Sequence, residues 1–220
     1  MISLRHITRR YSDRVSALSD VSLEVAEGEF VAITGPSGCG KSTLMHLIGG
    51  LDTPTEGEID VAGLPLHRAS EAELTAYRRT KLGIVFQFFN LLPTMSVREN
   101  ICLPLLLRGE PLAGARRKAD DIIELVGLTD RAQHGMHELS GGQLQRTAIA
   151  RALVHEPAVL LADEPTGNLD SVNAGQVMEL LQKISSQRRT TMLVVTHSEE
   201  IARSTGRRIR LRDGQIVSHP

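Results

Sequence analysis

The first sixty residues alternate between apolar and polar positions in a way that predicts β-strands. Residues 21–25 read Val-Ser-Leu-Glu-Val, which is the period-two pattern of a strand with one buried face. Ile2, Leu4 and Ile7 indicate another strand at the start of the chain. Phe30–Thr34 is almost entirely apolar, and it therefore predicts a strand that is buried on both faces, as in a parallel sheet.

The rest of the chain predicts further strands that are separated by helices. A helix is expected to begin near Lys41, because Leu44, Leu47 and Ile48 share one face. A later helix is expected to begin at a glycine-rich segment, 139–143, and to run to about His155. The other predicted strands are 57–61, 82–86, 158–162, 191–195 and 208–211, and the other predicted helices are 71–79, 96–107, 114–126 and 171–185.

This alternation predicts an α/β fold with a mostly parallel sheet. The early alternating strands predict a small antiparallel β layer on its N-terminal side. Residues 88–154 show only helical patterns, so we interpret them as an inserted α-helical subdomain. We therefore expect a single domain over residues 1–220, with a catalytic α/β core formed by residues 1–87 and 155–220.

Composition narrows the classes of function. The formal net charge is −1, so there is no basic excess that would favour nucleic acid as a partner. The longest apolar runs fall far short of the about 20 residues that cross a bilayer, and no secretory signal is evident. The two cysteines, Cys39 and Cys102, are expected as free thiols in a reducing cytoplasm. Because no apolar run is long enough to cross a bilayer, a function at a membrane would need another, membrane-spanning chain.

Residues 35–42 read Gly-Pro-Ser-Gly-Cys-Gly-Lys-Ser, the pattern of a phosphate-binding loop between a strand and a helix. The glycines let backbone N–H groups surround a phosphate, and the helix N-terminus adds positive charge. Lys41 is expected to reach the β- and γ-phosphates of ATP, Ser42 to bind Mg²⁺, and Thr43 to contact the α-phosphate. The pattern predicts a P-loop NTPase core, with these nucleotide-binding residues: Gly35, Pro36, Ser37, Gly38, Cys39, Gly40, Lys41, Ser42 and Thr43.

Two carboxylates, Asp163 and Glu164, follow the apolar strand that is predicted at 158–162. Ligands of open α/β sheets lie at the carboxyl ends of the strands. Asp163 is expected to hold Mg²⁺, and Glu164 to orient or deprotonate the attacking water. The alternative is a solvated acidic turn.

Gln87 and His197 also follow predicted strands, so they are expected at the same sheet edge. His197 would hydrogen-bond the γ-phosphate and help to position the water. Gln87 would contact both Mg²⁺ and the water. A purely structural role is the alternative for each residue, and it weighs more heavily for Gln87.

The second glycine-rich segment, 139–143, reads Leu-Ser-Gly-Gly-Gln at the predicted start of a helix. Ser140, Gly141 and Gly142 would present a hydroxyl and backbone N–H groups to an anion, and Gln143 completes the segment. A helix cap with Ser140 at its N-cap is the alternative. Since one loop is enough to surround a triphosphate, the second segment suggests that ATP is held between two copies of this chain.

Taken together, these features resemble the nucleotide-binding subunit of ABC transporters over nearly the whole chain. The resemblance implies ATPase activity, with ATP and Mg²⁺ at the site. The motifs follow the order of that family, which is the phosphate loop, Gln87, residues 139–143, Asp163 and Glu164, the loop 168–170, and His197.

The resemblance also implies an arrangement of two subunits. They would dock head to tail, with each ATP between the phosphate loop of one and the Ser140 region of the other. Tyr11 would stack on the adenine, although an ordinary tyrosine at a strand edge is the alternative. Asp170 would communicate across the interface between the subunits.

Residues 48–57, 87–93 and 161–170 look like the LolD/MacB branch, which serves lipoprotein release and macrolide export. The implied function is to power a separate transmembrane permease from the cytoplasmic face of the inner membrane, exporting or extracting a lipoprotein, peptide or hydrophobic compound. The alternative is a mechanical ATPase that regulates a membrane partner without transport. A local apolar cluster is either core packing or a groove for a short helix of the permease; its members are Phe86, Phe88, Phe89, Leu91 and Leu92.

Overall fold

The computed structural model describes residues 1–12, 15–188 and 190–218, which form two β-sheets and a set of helices. The strands are β1 (Ile2–Ser12), β2 (Val15–Val25), β3 (Phe30–Thr34), β4 (Glu56–Val61), β5 (Leu64–Pro65), β6 (Leu82–Val85), β7 (Val159–Asp163), β8 (Thr191–Val195), β9 (Arg207–Arg212) and β10 (Gln215–Ser218). The α-helices are α1 (Lys41–Ile48), α2 (Glu71–Thr80), α3 (Val97–Leu107), α4 (Leu112–Leu125), α5 (Gly141–Leu153), α6 (Ser171–Arg188) and α7 (Glu199–Arg203).

The larger sheet confirms the predicted α/β fold. Its strand order is β10-β9-β3-β8-β7-β6, and all neighbours pair in parallel except β10, which runs antiparallel to β9. The smaller sheet, in the order β2-β1-β4-β5, is antiparallel throughout and confirms the predicted N-terminal layer. Parallel pairing brings the carboxyl ends of β3, β6, β7 and β8 to one edge, which is where ligands bind in such sheets.

The larger sheet separates two hydrophobic layers, because successive side chains of a strand point to opposite faces. In β7, Val159 and Leu161 face a layer that also contains α1 and the antiparallel sheet. Leu160 and Ala162 face the other layer, which contains α3, α4, α5 and α6. Helices α3 and α4 each pack against α5, so residues 97–153 form one helical group on this face. The division into a core and an inserted subdomain stays a prediction.

Several predicted boundaries were wrong. Residues 88–95, which begin the segment with helical patterns, contain no helix, and Phe89 and Asn90 both adopt positive φ values that a helix does not accommodate. Helix α4 begins two residues before the predicted start, since Pro111 occupies its N-cap with φ −60°. The short elements β5, β10 and α7 were not predicted, because they are too brief to show a period.

Among the described residues, no helix combines the length and the apolar content that crossing a bilayer would require.

Candidate active site

The phosphate loop connects β3 to α1 and depends on glycines at two tight positions. Gly35 has φ 152° and Gly40 has φ 104°, both in the region that favours glycine. A Cβ at Gly35 would collide with the carbonyl oxygen of Leu211, and one at Gly40 would collide with that of Ala17. The loop therefore packs closely against neighbouring backbone at Gly35 and Gly40, where only glycine fits.

Lys41 folds back over this loop. Its Nζ donates hydrogen bonds to the carbonyl oxygens of Gly35 and Pro36, each at 2.9 Å. Cys39 is buried beneath it, and its backbone N–H donates to Pro36 at 3.4 Å. Helix α1 has no side-chain cap at its start, so its first N–H groups remain available to an anion.

A cavity of about 320 Å³ opens beside the loop at the carboxyl edge of the sheet. It unites residues from four separate parts of the sequence, as predicted from the strand ends. Its lining consists of Ser37, Gly38, Lys41, Ser42, Gln87, Asp163, Glu164, Val195 and His197.

Two groups of predicted site residues lie outside this lining. One group is the rest of the phosphate loop, namely Gly35, Pro36, Cys39, Gly40 and Thr43. The other group comes from more distant segments, namely Tyr11, Ser140, Gly141, Gly142, Gln143 and Asp170.

The two carboxylates of the cavity lie at the end of β7. Burial raises the pKa of Asp163 above its ordinary value, and the adjacent negative charge of Glu164 raises it further. The positive charges of His46 and Lys41 act in the opposite direction. Partial burial and the adjacent charge thus disfavour ionisation of Asp163, and a cation bound beside it would relieve that cost.

Glu164 is held in an unusual backbone conformation, with φ 45°. Its backbone N–H donates to Val195 of β8 at 2.9 Å, which ties the end of β7 to the next strand. His197 Nδ1 lies 2.9 Å from Glu164 Oε2, at ion-pair distance. The same Oε2 is buried and receives no aligned hydrogen bond from the described residues, so its capacity to accept one is unused.

These observations fit ATP with Mg²⁺. Gly35 and Gly40 of the loop have no room for side chains, α1 presents uncapped N–H groups, and a buried carboxylate oxygen still lacks an aligned donor. Hydroxyl, amide and carboxylate oxygens from Ser42, Gln87 and Asp163 line one cavity, and such oxygens are what Mg²⁺ prefers. The donor set therefore suits the group that the sequence predicted.

Gln87 is connected to the loop that follows β7. Its backbone carbonyl accepts a 2.7 Å hydrogen bond from Asn168 Nδ2. Its side-chain Nε2 lies so close to Gly167 that a Cβ there would approach it to 3.1 Å. Asn168 could not be predicted in this role, because a contact across 81 residues leaves no local signal in the sequence.

The Ser140 segment caps α5, as the structural alternative proposed. Gln143 N donates to Ser140 Oγ at 3.3 Å, and Ser140 N donates to Gln143 Oε1 at 2.9 Å. This is a capping box, and it is confirmed. Because the hydroxyl accepts in the cap, its hydrogen is free to point outward, so the anion-site role stays a prediction.

Asp170 stands before α6. Its two carboxylate oxygens accept hydrogen bonds from Asn173 N at 3.0 Å and from Asn173 Nδ2 at 2.6 Å. These bonds lower the pKa of Asp170, so it is ionised at neutral pH. Asn173 also touches the Ser140 segment, because a Cβ at Gly142 would collide with its side chain. The two loops therefore form one surface.

Some members of the predicted apolar cluster agree with core packing, and others agree with a surface for a partner. Leu91 packs against the hydrophobic layer of α3–α6, in agreement with core packing. Phe88 is 73% exposed and Leu92 is 39% exposed, which agrees with a surface available to a partner. Phe86 lines a different and larger cavity of about 630 Å³, between α2 and β6 on one side and α3 and α5 on the other.

Comparison with known proteins gives a consistent result. The family model described as "ABC transporter" matches residues 18–167. The lipoprotein-releasing system ATP-binding protein LolD of Bordetella pertussis is 44% identical over 218 residues, which are 98% of this chain and 94% of that protein. The LolD protein of Bordetella bronchiseptica matches to the same extent.

Solved structures agree over the whole length. The cassette MJ0796, described as dimeric and bound to ADP and Pi in a post-hydrolysis state, is 40% identical with a TM-score of 0.90, covering 100% of this chain and 98% of that one. CbiO1 of Clostridium perfringens, part of the transporter complex cbiONQ, is 29% identical with a TM-score of 0.91, covering 99% and 87%. The chain belongs to the ABC transporter family and is one of its ATP-binding cassettes.

Proposed function

We propose that this chain hydrolyses ATP to ADP and phosphate and that the reaction drives a membrane partner. The observation that carries the proposal is the single cavity that joins the phosphate loop to Gln87, Asp163, Glu164 and His197. The related cassette MJ0796 is described in a post-hydrolysis state with ADP and Pi, which supports the same reaction here.

The residues of the cavity have different roles in phosphoryl transfer. The loop N–H groups, the N-terminus of α1 and Lys41 hold the phosphates, for which Lys41 leaves the carbonyls of Gly35 and Pro36. Ser42, Asp163 and Gln87 would hold Mg²⁺, which supplies charge neutralisation on the phosphate oxygens. The transfer then depends mainly on positioning and electrostatics.

Glu164 acts on the attacking water. Its buried Oε2 lacks an aligned donor, so a water can donate a proton towards it and be oriented for attack. His197 lies 2.9 Å from that oxygen and keeps the carboxylate in place, while its exposed ring is free to contact the terminal phosphate. The proton of the water passes to Glu164 as the new oxygen–phosphorus bond forms, while the bond between the γ-phosphorus and the bridging oxygen breaks and ADP leaves with its electron pair.

A second copy of the chain would complete the site. The Ser140 segment and Asp170 lie outside the cavity lining, although they share one surface through Asn173. In a head-to-tail pair, this surface would meet the phosphate loop of the other copy, and the hydroxyl of Ser140 would donate to the terminal phosphate. The dimeric state described for MJ0796 supports this arrangement.

The membrane partner would be a separate permease, approached from the cytoplasmic face of the inner membrane. The relatives named LolD belong to a lipoprotein-releasing system, which makes lipoprotein release the best-supported task, within the broader class of peptide or hydrophobic-compound export. The 630 Å³ cavity, lined in part by Phe86, Leu103 and Leu107, has the apolar character that a short helix of such a partner needs.

Replacing Glu164 by glutamine tests this proposal. Glu164→Gln keeps the shape of the side chain but loses the proton acceptor, so we expect ATP binding to persist and hydrolysis to slow at least about 100-fold. ATP should then convert the variant from monomer to dimer, as measured by light scattering after gel filtration. Lys41→Ala is the matched control, and it should lose ATP binding itself.

Two results would contradict the proposal. Hydrolysis at the wild-type rate in Glu164→Gln would remove the assigned base. A Glu164→Gln protein that stays monomeric in saturating ATP would leave the ATPase reaction standing but would remove the two-copy site.

A further inference from the structure

Tyr11 belongs to a compact polar cluster on the antiparallel sheet. Its hydroxyl donates to Asp52 Oδ2 at 3.1 Å. Arg9, two residues earlier in β1, places its guanidinium carbon 4.7 Å from the centre of the Tyr11 ring. The ring is therefore held at its edge by Asp52 and covered on one face by Arg9.

Arg9 and Asp52 are joined more firmly than an ordinary surface pair. Arg9 Nε donates to Asp52 Oδ2 at 2.9 Å, and Arg9 Nη2 lies 2.8 Å from Oδ1, which is bidentate geometry. The two side chains are only 23% and 19% exposed. Asp52 Oδ1 also accepts from Thr53 N at 2.8 Å, so both carboxylate oxygens are saturated and the carboxylate has one orientation.

This cluster reaches the phosphate loop through one helix. Asp52 follows α1, the helix that begins at Lys41, and the intervening turn is closed by Leu51 N donating to His46 at 2.9 Å. Tyr11 itself lies on β1, in the other sheet. The Arg9–Asp52 pair thus fixes the distance between the ring of Tyr11 and the loop that would hold the phosphates.

We propose that Arg9 and Asp52 are positioning residues that hold the Tyr11 ring as a preformed platform for the base of the nucleotide. This inference rests on the proposed function, in which Tyr11 stacks on adenine. Because Arg9 covers one face and the residue remains 54% exposed, the base stacks on the opposite face. Because the Tyr11 ring is already ordered in the free protein, ATP binding causes no further loss of conformational entropy at this side chain.

The proposal predicts an effect on binding that depends on the base. In Asp52→Asn and in Arg9→Gln, the Kd for ATP should rise about threefold to tenfold, the cost of reordering one side chain. The Kd for tripolyphosphate, which has no base, should stay at the wild-type value. The KM for ATP should rise with the Kd, and kcat at saturating ATP should stay within about twofold of wild type. Tyr11→Phe, which removes only the hydroxyl, should give a smaller rise of the same kind.

A spectroscopic signal reports the ring directly. The chain has two tyrosines, and the other one, Tyr77, is buried with its hydroxyl donating to Ile48 at 2.8 Å. With ¹³C-labelled tyrosine, Asp52→Asn should move the Tyr11 resonance towards that of a free ring and leave the Tyr77 resonance in place. A shift of both signals would mean a general structural change and would overturn the positioning role.

A neighbouring ion pair provides the matched control. Arg10 and Glu56 form a 2.7 Å ion pair on the same sheet, but their side chains are largely exposed and are not members of the Arg9–Asp52–Tyr11 cluster. Glu56→Gln should therefore leave the Kd for ATP and both tyrosine resonances unchanged.

Tyr11→Ala distinguishes the role of Tyr11 at the base from the positioning role of Arg9 and Asp52. If Tyr11→Ala raises the Kd for ATP while Asp52→Asn and Arg9→Gln leave it unchanged, the positioning role is refuted and the platform stands. If Tyr11→Ala leaves the Kd unchanged, the assignment of Tyr11 to the base fails, and the positioning role fails with it. Tighter ATP binding in Arg9→Gln would show that Arg9 competes with the base and would likewise refute the proposal.

Discussion

At the scale of single residues, the phosphate loop shows how two glycines in one loop can have different physical roles. Gly35→Ala would drive a methyl group into the carbonyl of Leu211, so we expect a loss of about 3 kcal/mol or more in the free energy of unfolding. Gly38 has φ 77° but open space around its Cβ position, so Gly38→Ala should cost about 1–2 kcal/mol through backbone strain alone. Urea denaturation of both variants measures the difference.

Equal losses in the two variants would contradict this assignment, because strain alone would then account for both. The comparison is informative without any nucleotide, since it tests the fit of the loop against β9.

Whether the placement of a residue could be predicted from the sequence depends on how far along the chain its contacts lie. Lys41 and Ser42 were predictable, because strand, loop and helix are contiguous and the motif states the chemistry. The placement of Asp163 and His197 at one sheet edge was predictable, because Asp163 ends β7 and His197 closely follows β8 in a parallel sheet. The Arg9–Asp52 pair was not predictable, since its members are 43 residues apart and neither belongs to a periodic pattern.

At the scale of secondary-structure elements, the start of α5 combines a cap with a predicted anion site, and substitutions can separate the two. Ser140→Ala removes the acceptor for Gln143 N and should destabilise the protein by about 1 kcal/mol. Ser140→Asp keeps an acceptor for the cap and should retain stability, but its negative charge should abolish ATP-driven dimerisation. Thermal melts and light scattering measure the two effects.

Helix α3 offers the matched control for that experiment. Ser96 forms the same capping box with Glu99, at the N-terminus of a helix outside the candidate site. Ser96→Ala should reproduce the stability loss of Ser140→Ala with ATPase activity intact. If Ser140→Asp dimerises normally in ATP, the segment is a cap and nothing more.

The elements themselves were predicted where they were long and periodic, and missed where tertiary contacts define them. The strands β3, β7 and β8 were predictable because they are apolar and bounded by polar residues. The non-helical conformation of residues 88–95 was not, since Arg151 of α5 holds this segment by donating to the carbonyl oxygens of Phe89 at 3.0 Å and of Asn90 at 2.6 Å. A contact of that kind leaves no trace in the local pattern of apolar residues.

At the scale of the whole molecule, the larger sheet separates the two glycine-rich segments into different hydrophobic layers. Cys39 and Leu44, of the phosphate loop and α1, pack into the hydrophobic layer on one side of the sheet. Ile149 and Leu153 of α5, the helix that Ser140 begins, pack into the layer on the other side. The two glycine-rich segments are therefore anchored in different layers, which supports the proposal that a second copy supplies the Ser140 segment to the phosphates.

The layer of α3–α6 also carries the surface that we assign to the membrane partner. Leu107, at the end of α3, is 66% exposed and lines the 630 Å³ cavity. Leu107→Asp should leave the ATPase rate of the isolated chain within about twofold, because the side chain does not line the nucleotide cavity and surface changes cost little stability. Co-purification with the permease from detergent-solubilised membranes should fall at least about tenfold, since a charge would be buried in an apolar contact.

Leu112 is the control for this experiment, because it is 50% exposed on α4 and does not line the cavity. Leu112→Asp carries the same change in charge and side-chain size, so it should capture the permease as wild type does. Equal capture by both variants would place the docking surface elsewhere, and the exposed Phe88 would become the next residue to test. Equal loss in both would mean that any acidic residue on the helical layer repels the partner, which would indicate an electrostatic contact rather than insertion into the cavity.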